Sequence, residues 1–252
     1  MNRPRVIPIL GIQNKKLVKT VKYKRPNYLG DPINAIKIYN DKEVDELAIV
    51  DIRASKDKSH PKYEHLFEMA GEAFMPIAYG GGVDTFEKAK KVFDCGIEKI
   101  ILNSGYFANP NLVNEIAETF GAQSVVLSLD LNKNIFGKYV LTTSSGSKSL
   151  KLKLSNFLAN LDTSNIGEIL INDITLDGTF KGYNLPLIDQ VSKAVKIPVI
   201  ANCGCNGFEN LNQAIKSGAS AVAASSIFVY KNNNPESILI NYPHYKAIND
   251  LR

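Results

Sequence analysis

Two apolar runs in this chain stop in glycine and pass directly into a polar, helix-like pattern. The first is Met75-Pro76-Ile77-Ala78-Tyr79-Gly80-Gly81-Gly82, with helical spacing from Asp84; the second is Ile197-Pro198-Val199-Ile200-Ala201-Asn202-Cys203-Gly204. Glycine lets backbone N–H groups approach an anion closely, and the helix that follows adds the positive end of its dipole. One unit further on, each run is matched by a polar strand tip, Asn103-Ser104-Gly105 and Ser225-Ser226. The chemistry expected is binding of a ligand with a phosphate at each end: Gly82 with Asn103 and Ser104 at one site, Gly204 with Ser225 and Ser226 at the other. Loops after strands can also carry glycine for turning alone, but the paired Ser and Asn tips favour ligand binding.

The elements that position these tips repeat. Pro76 and Pro198 are 122 residues apart, as are Gly82 and Gly204, Asp51 and Asp173, Gly96 and Gly218, and Ser104 and Ser226. A match through several strand-helix units marks an internal duplication. Each half alternates apolar runs with amphipathic helical patterns, the signature of a parallel sheet with helical crossovers. The 252 residues, 44% of them apolar, suit one (β/α)₈ barrel, and no linker-like stretch divides them. The domain expected is therefore 1–252, with half-barrels of about 1–122 and 123–252.

In chain order, the expected strands begin with Arg5-Val6-Ile7-Pro8-Ile9-Leu10-Gly11. A basic loop follows, and Asp31-Pro32 opens a helix as N-cap and first-turn proline. A strand over 46–51, a helix over 63–71, the first glycine-tipped strand, a helix over 85–94 and a strand over 99–103 complete the first half with a helix after Pro110. The second half starts at 124–130, ending in Asp130. An inserted hairpin is expected over 134–143 and a helix over 150–161. Then come a strand over 168–173 running on into Asp177-Gly178-Thr179, a helix from Leu185, the second glycine-tipped strand, a helix stopped by Gly218, and a strand over 221–226. One more helix is expected after Asn232.

The net charge of +5 is concentrated in the early loop, where Lys15, Lys16, Lys19, Lys22, Lys24 and Arg25 cluster. Such a loop suits a phosphorylated metabolite better than nucleic acid, which needs base-stacking aromatics on a basic face. No signal peptide or membrane-length apolar run is read, so a cytoplasmic protein without membrane attachment is expected. Cys95, Cys203 and Cys205 cannot build a disulfide framework. His60, His65 and His244 offer no metal-ligand spacing to join Cys203 and Cys205, so free thiols are expected, with no metal and no cofactor.

These motifs resemble the cyclase subunit of imidazole glycerol phosphate synthase, the HisF family, over nearly the whole chain. The matching stretches are Gly30-Asp31-Pro32, Asp45-Glu46-Leu47, Asp51-Ile52, Ala54-Ser55, Gly80-Gly81-Gly82, Asn103, Asp130, Asp177-Gly178-Thr179, Gly182-Tyr183 and residues 224–228. The related isomerase barrel of histidine synthesis shares the two-phosphate plan, but Asp177-Gly178-Thr179 and Lys19 look more like the cyclase. The resemblance implies a complex with a separate HisH-type glutaminase, ammonia passing through the barrel, and chemistry at the carboxyl mouth. It also implies a catalytic part for Asp130 and Lys19, and places Asp177 and Gly178 among the phosphate-binding residues.

One departure stands out. The family pairs a first-strand and a fifth-strand aspartate as general acid and base, but here the first strand reads Leu10-Gly11. The internal repeat shows the same loss, because residues 6–11 align on 125–130 and glycine falls opposite Asp130. A positioned acid or base is typically worth about 10²–10⁴-fold in rate, so a poor cyclase is expected. Cys203 stands where a second glycine is usual, and Ala224-Ser225-Ser226 replaces Ala-Ala-Ser, so the second phosphate site carries altered ligands.

At the opposite end, Arg5, Glu46, Lys99 and Glu168 each stand at a strand start and match the charged ring that gates the family's ammonia channel. Three functions are therefore expected in competition: a specialised subunit that delivers ammonia to another synthase, such as a sugar amidotransferase; a working cyclase of histidine biosynthesis; or a non-catalytic partner of the glutaminase. The glutaminase itself is not in this chain, which has no Gly-x-Cys-x-Gly elbow.

Overall fold

A computed structural model describes residues 4–243. Twelve strands occur among them: β1 (Arg5–Gln13), β2 (Lys16–Val21), β3 (Lys24–Gly30), β4 (Leu47–Asp51), β5 (Ile77–Gly80), β6 (Lys99–Leu102), β7 (Val125–Lys133), β8 (Tyr139–Thr143), β9 (Lys148–Lys153), β10 (Glu168–Asp173), β11 (Val199–Asn202) and β12 (Ala221–Ala224). Eight of them, β1, β4, β5, β6, β7, β10, β11 and β12, pair in parallel in a continuous ring that β10 closes by pairing with β7. The chain is a (β/α)₈ barrel.

Local sequence explains the helices of the outer layer. The Asp31 carboxylate accepts from Ile33 N and Asn34 N at 2.8 and 3.1 Å, and Pro32 opens α1 (Pro32–Asp41). Next come α2 (Ala54–Asp57) and α3 (Tyr63–Glu72). Thr85 caps α4 (Phe86–Asp94), and Gly96, at φ +92°, lets the chain turn away after it. The outer layer continues with α5 (Ser104–Ala108), α6 (Leu112–Phe120), α7 (Leu154–Ala159), α8 (Leu185–Ala194), α9 (Phe208–Lys216) and α10 (Ser226–Val229). Their apolar faces pack on the outward side of the strands in the larger core cluster, with Leu66, Val92, Ile116 and Val191 fully or almost fully buried. A second, separate cluster fills the lumen: Ile7, Ala48, Ala78, Ile101, Val126, Leu170, Ile200, Ala221 and Ala223.

Hydrogen-bond registers repeat at the spacing seen in the sequence. Val222 pairs with Val6 and Ile100 with Val125; Gly11 pairs with Val50 and Asp130 with Asn172. Since 222 and 100, and likewise 172 and 50, differ by 122, both neighbours place Gly11 at the position equivalent to Asp130.

Three expectations change. The basic segment after β1 is an antiparallel ribbon, β2 and β3, because β1 runs past the barrel rim and offers Gly11, Ile12 and Gln13 as pairing partners for Val18, Leu17 and Lys16. In the second half the insertion is larger than a hairpin over 134–143: β7, β8 and β9 form the equivalent ribbon, so residues 148–153 are strand and only Leu154–Ala159 is helix. Alternation explains the strand, since Leu150 and Leu152 turn inward while Ser149, Lys151 and Lys153 face solvent. After Asn232 no α-helix occurs up to residue 243, where Tyr230 instead bridges Ile238; His244 and the rest of the tail lie outside the described residues.

Candidate active site

All eight barrel strands point the same way, so their carboxyl tips converge on one mouth. A cavity there is lined by Gly11, Lys19, Gly82, Asn103, Ser104, Asp130, Asp177, Gly178, Gly204, Ser225 and Ser226 among others. The structure thus brings together every residue expected to bind phosphate or to take part in catalysis.

Asp130 sits at the bottom of a polar chain. Its carboxylate accepts from Ser128 Oγ at 3.0 Å and from Asn172 Nδ2 at 2.8 Å, and Asn202 Nδ2 donates to Asn172 Oδ1 at 2.7 Å. Burial pushes the Asp130 carboxyl up to about 6, against the two hydrogen bonds, which lower it. A carboxyl tuned there can exchange a proton near neutral pH. Asn172 and Asn202 were not among the residues singled out in the sequence. The repeat carries the signal, since the equivalent first-half positions are Val50 and Gly80, and Ile9 lies opposite Ser128. One side of the mouth is therefore polar and the other, around Ile9, Gly11, Val50 and Ile101, is apolar.

Gly11 has a steric reason as well as a missing carboxylate. A β-carbon there would come within 2.9 Å of the Val18 carbonyl oxygen on β2 and 3.4 Å of Ile52 Cγ2. The first ribbon closes down more tightly than a side chain would allow.

Lys19 and Asp177 meet each other rather than open space. Lys19 Nζ lies 2.7 Å from Asp177 Oδ1, Thr20 Oγ1 donates to Asp177 Oδ2 at 2.9 Å, and Tyr23 N–H donates to the same oxygen at 3.1 Å. Gly178, at φ +68°, lies so close to β2 that a β-carbon would meet Thr20 O at 2.6 Å. Asp177-Gly178 is thus a clasp that holds the first ribbon across the mouth.

At the first expected anion site, Gly82 N–H points at Ser55 Oγ, 3.5 Å away, and Gly82 at φ +72° passes too close to Ser59 O for any side chain. Asn103 spends its amide on Ser128 O and Thr142 O at 3.0 and 3.2 Å, while Ser104 Oγ accepts from Ser144 N at 3.0 Å. Asn103 therefore joins the strand tip to the second ribbon. At the other site a β-carbon on Gly204 would stand 2.2 Å from Gly182 O, so none can be accommodated. Cys203, equivalent to Gly81, is held at φ +75°, a region that L side chains rarely adopt. Burial, with Asp177 next, pushes its thiol well up, so it is a neutral thiol on the cavity wall. Cys95, Cys203 and Cys205 are free and buried, and among the described residues no three His, Cys, Asp or Glu side chains group as metal ligands.

Asp51 and Asp173 play matched structural parts. Asp51 Oδ1 accepts from Arg53 N and Ala54 N, both at 3.0 Å, and Asp173 Oδ1 accepts from Thr175 N at 3.0 Å. Of the carboxylates that line the cavity, Asp51 is taken up by backbone N–H groups and Asp177 by Lys19, whereas Asp130 is held by the neutral side chains of Ser128 and Asn172.

At the far end of the lumen, Arg5, Glu46, Lys99 and Glu168 close into a ring. Arg5 pairs with both carboxylates, and Lys99 Nζ lies 3.0 Å from Glu46 and 2.9 Å from Glu168. Burial alone would raise Glu168, but Arg5 and Lys99 hold its carboxyl below the usual range. Two cations and two anions cancel, which offsets much of the cost of burying charge.

No helix among the described residues is long and apolar enough to cross a membrane. Residues 5–234 match the family model described as histidine biosynthesis protein. The chain is 43% identical to a Pseudomonas aeruginosa protein provisionally named imidazole glycerol phosphate synthase subunit hisF2, over 96% of this chain and 97% of that one. It is 41% identical to a provisionally named hisF3 subunit of Vibrio vulnificus, over 96% and 94%. Against the imidazole glycerol phosphate synthase subunit HisF of Streptomyces coelicolor the identity is 36%, over 89% of each chain. With a barrel, a mouth and a family match that all span the same residues, the chain belongs to the histidine biosynthesis protein family, as a HisF-type member.

Proposed function

We propose that this chain is the barrel subunit of a glutamine-dependent synthase: it docks a separate HisH-type glutaminase at its amino-terminal face and passes ammonia through the lumen. Its acceptor reaction is a specialised one, with a sugar amidotransferase as the receiving enzyme, and it closes the imidazole ring poorly. The observation that carries this reading is the neutral ring Arg5-Glu46-Lys99-Glu168 at one end of an apolar lumen whose other end opens beside Asp130 with Gly11 opposite. A neutral ring does not trap ammonium, and an apolar lumen in which Ala48, Ala78, Ala221 and Ala223 leave space beside the branched side chains favours a small uncharged solute over ions. A phosphorylated ligand is held at the mouth by the turns at Gly82 and Gly204, with Ser104, Ser225 and Ser226 beside them.

A second reading, a cyclase of histidine biosynthesis that works with one carboxylate, is favoured by the tuned Asp130 and by the names of its relatives. The two are separated by complementation. Rescue of a cyclase-deficient strain supports the second; failure to rescue, together with glutamine-dependent amination of another enzyme's substrate in the presence of a HisH-type glutaminase, supports the first. A barrel that neither binds a glutaminase nor raises its glutamate release overturns the proposal.

A further inference from the structure

Apart from Lys19, which lines the mouth, the two ribbons carry a charge imbalance that the mouth chemistry does not use. Residues 12–30 contain Lys15, Lys16, Lys19, Lys22, Lys24 and Arg25, residues 131–161 contain Lys133, Lys138, Lys148, Lys151 and Lys153, and neither segment contains an Asp or Glu. Eleven cations lie in these segments against a net +5 for the whole chain, so everything outside them sums to −6. All but Lys19 are solvent-exposed. A charge run is usually only a solvated face, but here two runs distant in sequence are brought to one end of the barrel, because β1 and β7 both extend past the same rim.

The ribbons also meet. A β-carbon on Gly146, in the turn between β8 and β9, would stand 3.7 Å from Tyr23 Cδ2 in the turn between β2 and β3. Ser145 Oγ reaches across to Ile52 O at 2.7 Å. Together they form one basic roof beside the mouth. On this roof lie large apolar side chains: Ile135 at 93% and Phe136 at 78% exposed at the tip of the second ribbon, Tyr28 at 58% and Val21 at 47% on the first. Lys16 lies over the Tyr28 ring, 5.7 Å from its centre. Exposed aromatic and aliphatic anchors bordered by charge have the anatomy of a protein interface.

We propose that this two-ribbon roof is a docking face for an acidic protein surface, and that its occupant is the enzyme that consumes the ammonia. The inference rests on the channel reading above and names the partner at its exit. Ammonia leaving an apolar lumen into bulk water is protonated and diluted, so delivery to a second enzyme requires that enzyme to seat over the exit. Electrostatic complementarity orients such an encounter and speeds it, and the apolar tips then hold it. The apolar groups are spread over two ribbons around an opening, which suits a shaped protein surface better than the plane of a lipid bilayer; a nucleic acid would need more stacking aromatics than Tyr28 and Phe136.

The test uses the full chain with its HisH-type glutaminase and the ammonia-dependent ligases of the same genome, each produced in purified form. Two variants, Phe136→Ser with Lys138→Glu, and Lys24→Glu with Arg25→Glu, change exposed side chains outside the cavity. Expected is a loss of about tenfold or more in glutamine-dependent amination by the ligase. Glutamate release and amination from added ammonium chloride stay unchanged, and wild-type association with the ligase weakens as salt rises. Variants that deliver ammonia as well as wild type does overturn the docking face and leave the channel standing. A wild-type barrel that delivers to no ligase, but itself closes the imidazole ring from glutamine, overturns the channel-to-enzyme reading and the docking face with it. Binding to phosphatidylcholine–phosphatidylglycerol vesicles or to a single-stranded oligonucleotide, lost in the same variants while ammonia delivery persists, reassigns the roof to that anion and also overturns the proposal.

Discussion

The ammonium group of Lys19 and the carboxylate of Asp177, 158 residues apart in sequence, form a 2.7 Å ion pair beneath the first ribbon. Both side chains are largely buried, and Thr20 and Tyr23 N–H complete the carboxylate's hydrogen bonds. The pair is the main polar tie between the ribbon and the second half of the barrel, so the ribbon's position over the mouth depends on it. Removing one member of a buried pair leaves the other charge uncompensated, at a cost of about 3–5 kcal/mol. Asp177→Ala is therefore expected to lower the unfolding midpoint and to open the ribbon to trypsin at Lys22 and Lys24. Unchanged cleavage kinetics would show that backbone pairing alone holds it.

Gly11 predicts both a gain and a cost. Ammonia-dependent turnover of the HisF cyclase substrate by the wild-type chain is expected to lie more than about tenfold below that of a HisF cyclase, because an acid–base group usually contributes about 10²–10⁴-fold. Gly11→Asp places a carboxylate opposite Asp130 and should raise that turnover. Its β-carbon must displace the Val18 carbonyl from 2.9 Å, so a stability loss of about 1–3 kcal/mol is expected in urea unfolding. No gain in turnover would place the block in the ribbon or at the proposed phosphate sites instead.

Asp130 gives a pH signature. Its carboxyl is raised from 3.8 to about 6 in the folded chain, so between these values the native state holds a proton that the unfolded state has lost. The sign follows: this group disfavours folding at pH above about 6, and the penalty fades as pH falls toward 4. Asp130→Asn should stabilise the protein by up to about 3 kcal/mol at pH 8 and make little difference near pH 4, read from paired denaturation curves. Any reaction in which Asp130 accepts a proton should gain rate as pH rises through about 6.

For the ring, Lys99→Ala leaves Arg5 to balance both carboxylates and widens the opening. With a bound glutaminase, the expected result is a higher ratio of glutamate released to aminated product, measured in one assay. An unchanged ratio would reduce the four charges to a structural part.

At the mouth, inorganic phosphate is expected to bind first at the Gly82 turn beside Ser104, where glycine occupies both left-handed positions, Gly81 and Gly82. Cys203 occupies one of the two equivalent positions at the other site, so binding beside Gly204 should be weaker. Crystals soaked in phosphate check the order, and density beside Gly204 alone would reverse it.

How much of this was legible in the sequence follows from the range over which each feature is decided. The alternation of strands and helices, the glycine stops at Gly96 and Gly218, the Asp31-Pro32 cap and the repeat of 122 residues all depend on neighbours a few positions apart or on simple self-comparison. Gly11 opposite Asp130 could be read the same way, because the repeat supplies its own reference. The ribbons could be read only in part: the turn and alternation over 134–143 give the hairpin of β7 and β8, but the local pattern alone does not decide the strands over 16–30 and 148–153. Residues 16–21 become a strand because β1 overruns the rim and presents unpaired backbone, and residues 148–153 because β8, paired to the overrun of β7, presents its other edge. Closure of the barrel turned Asp177 toward Lys19, set Asn172 and Asn202 around Asp130, and brought two acid-free basic segments together on one face. Side-chain type fixes which partners a residue can satisfy; only the tertiary structure decides which of them is within 3 Å.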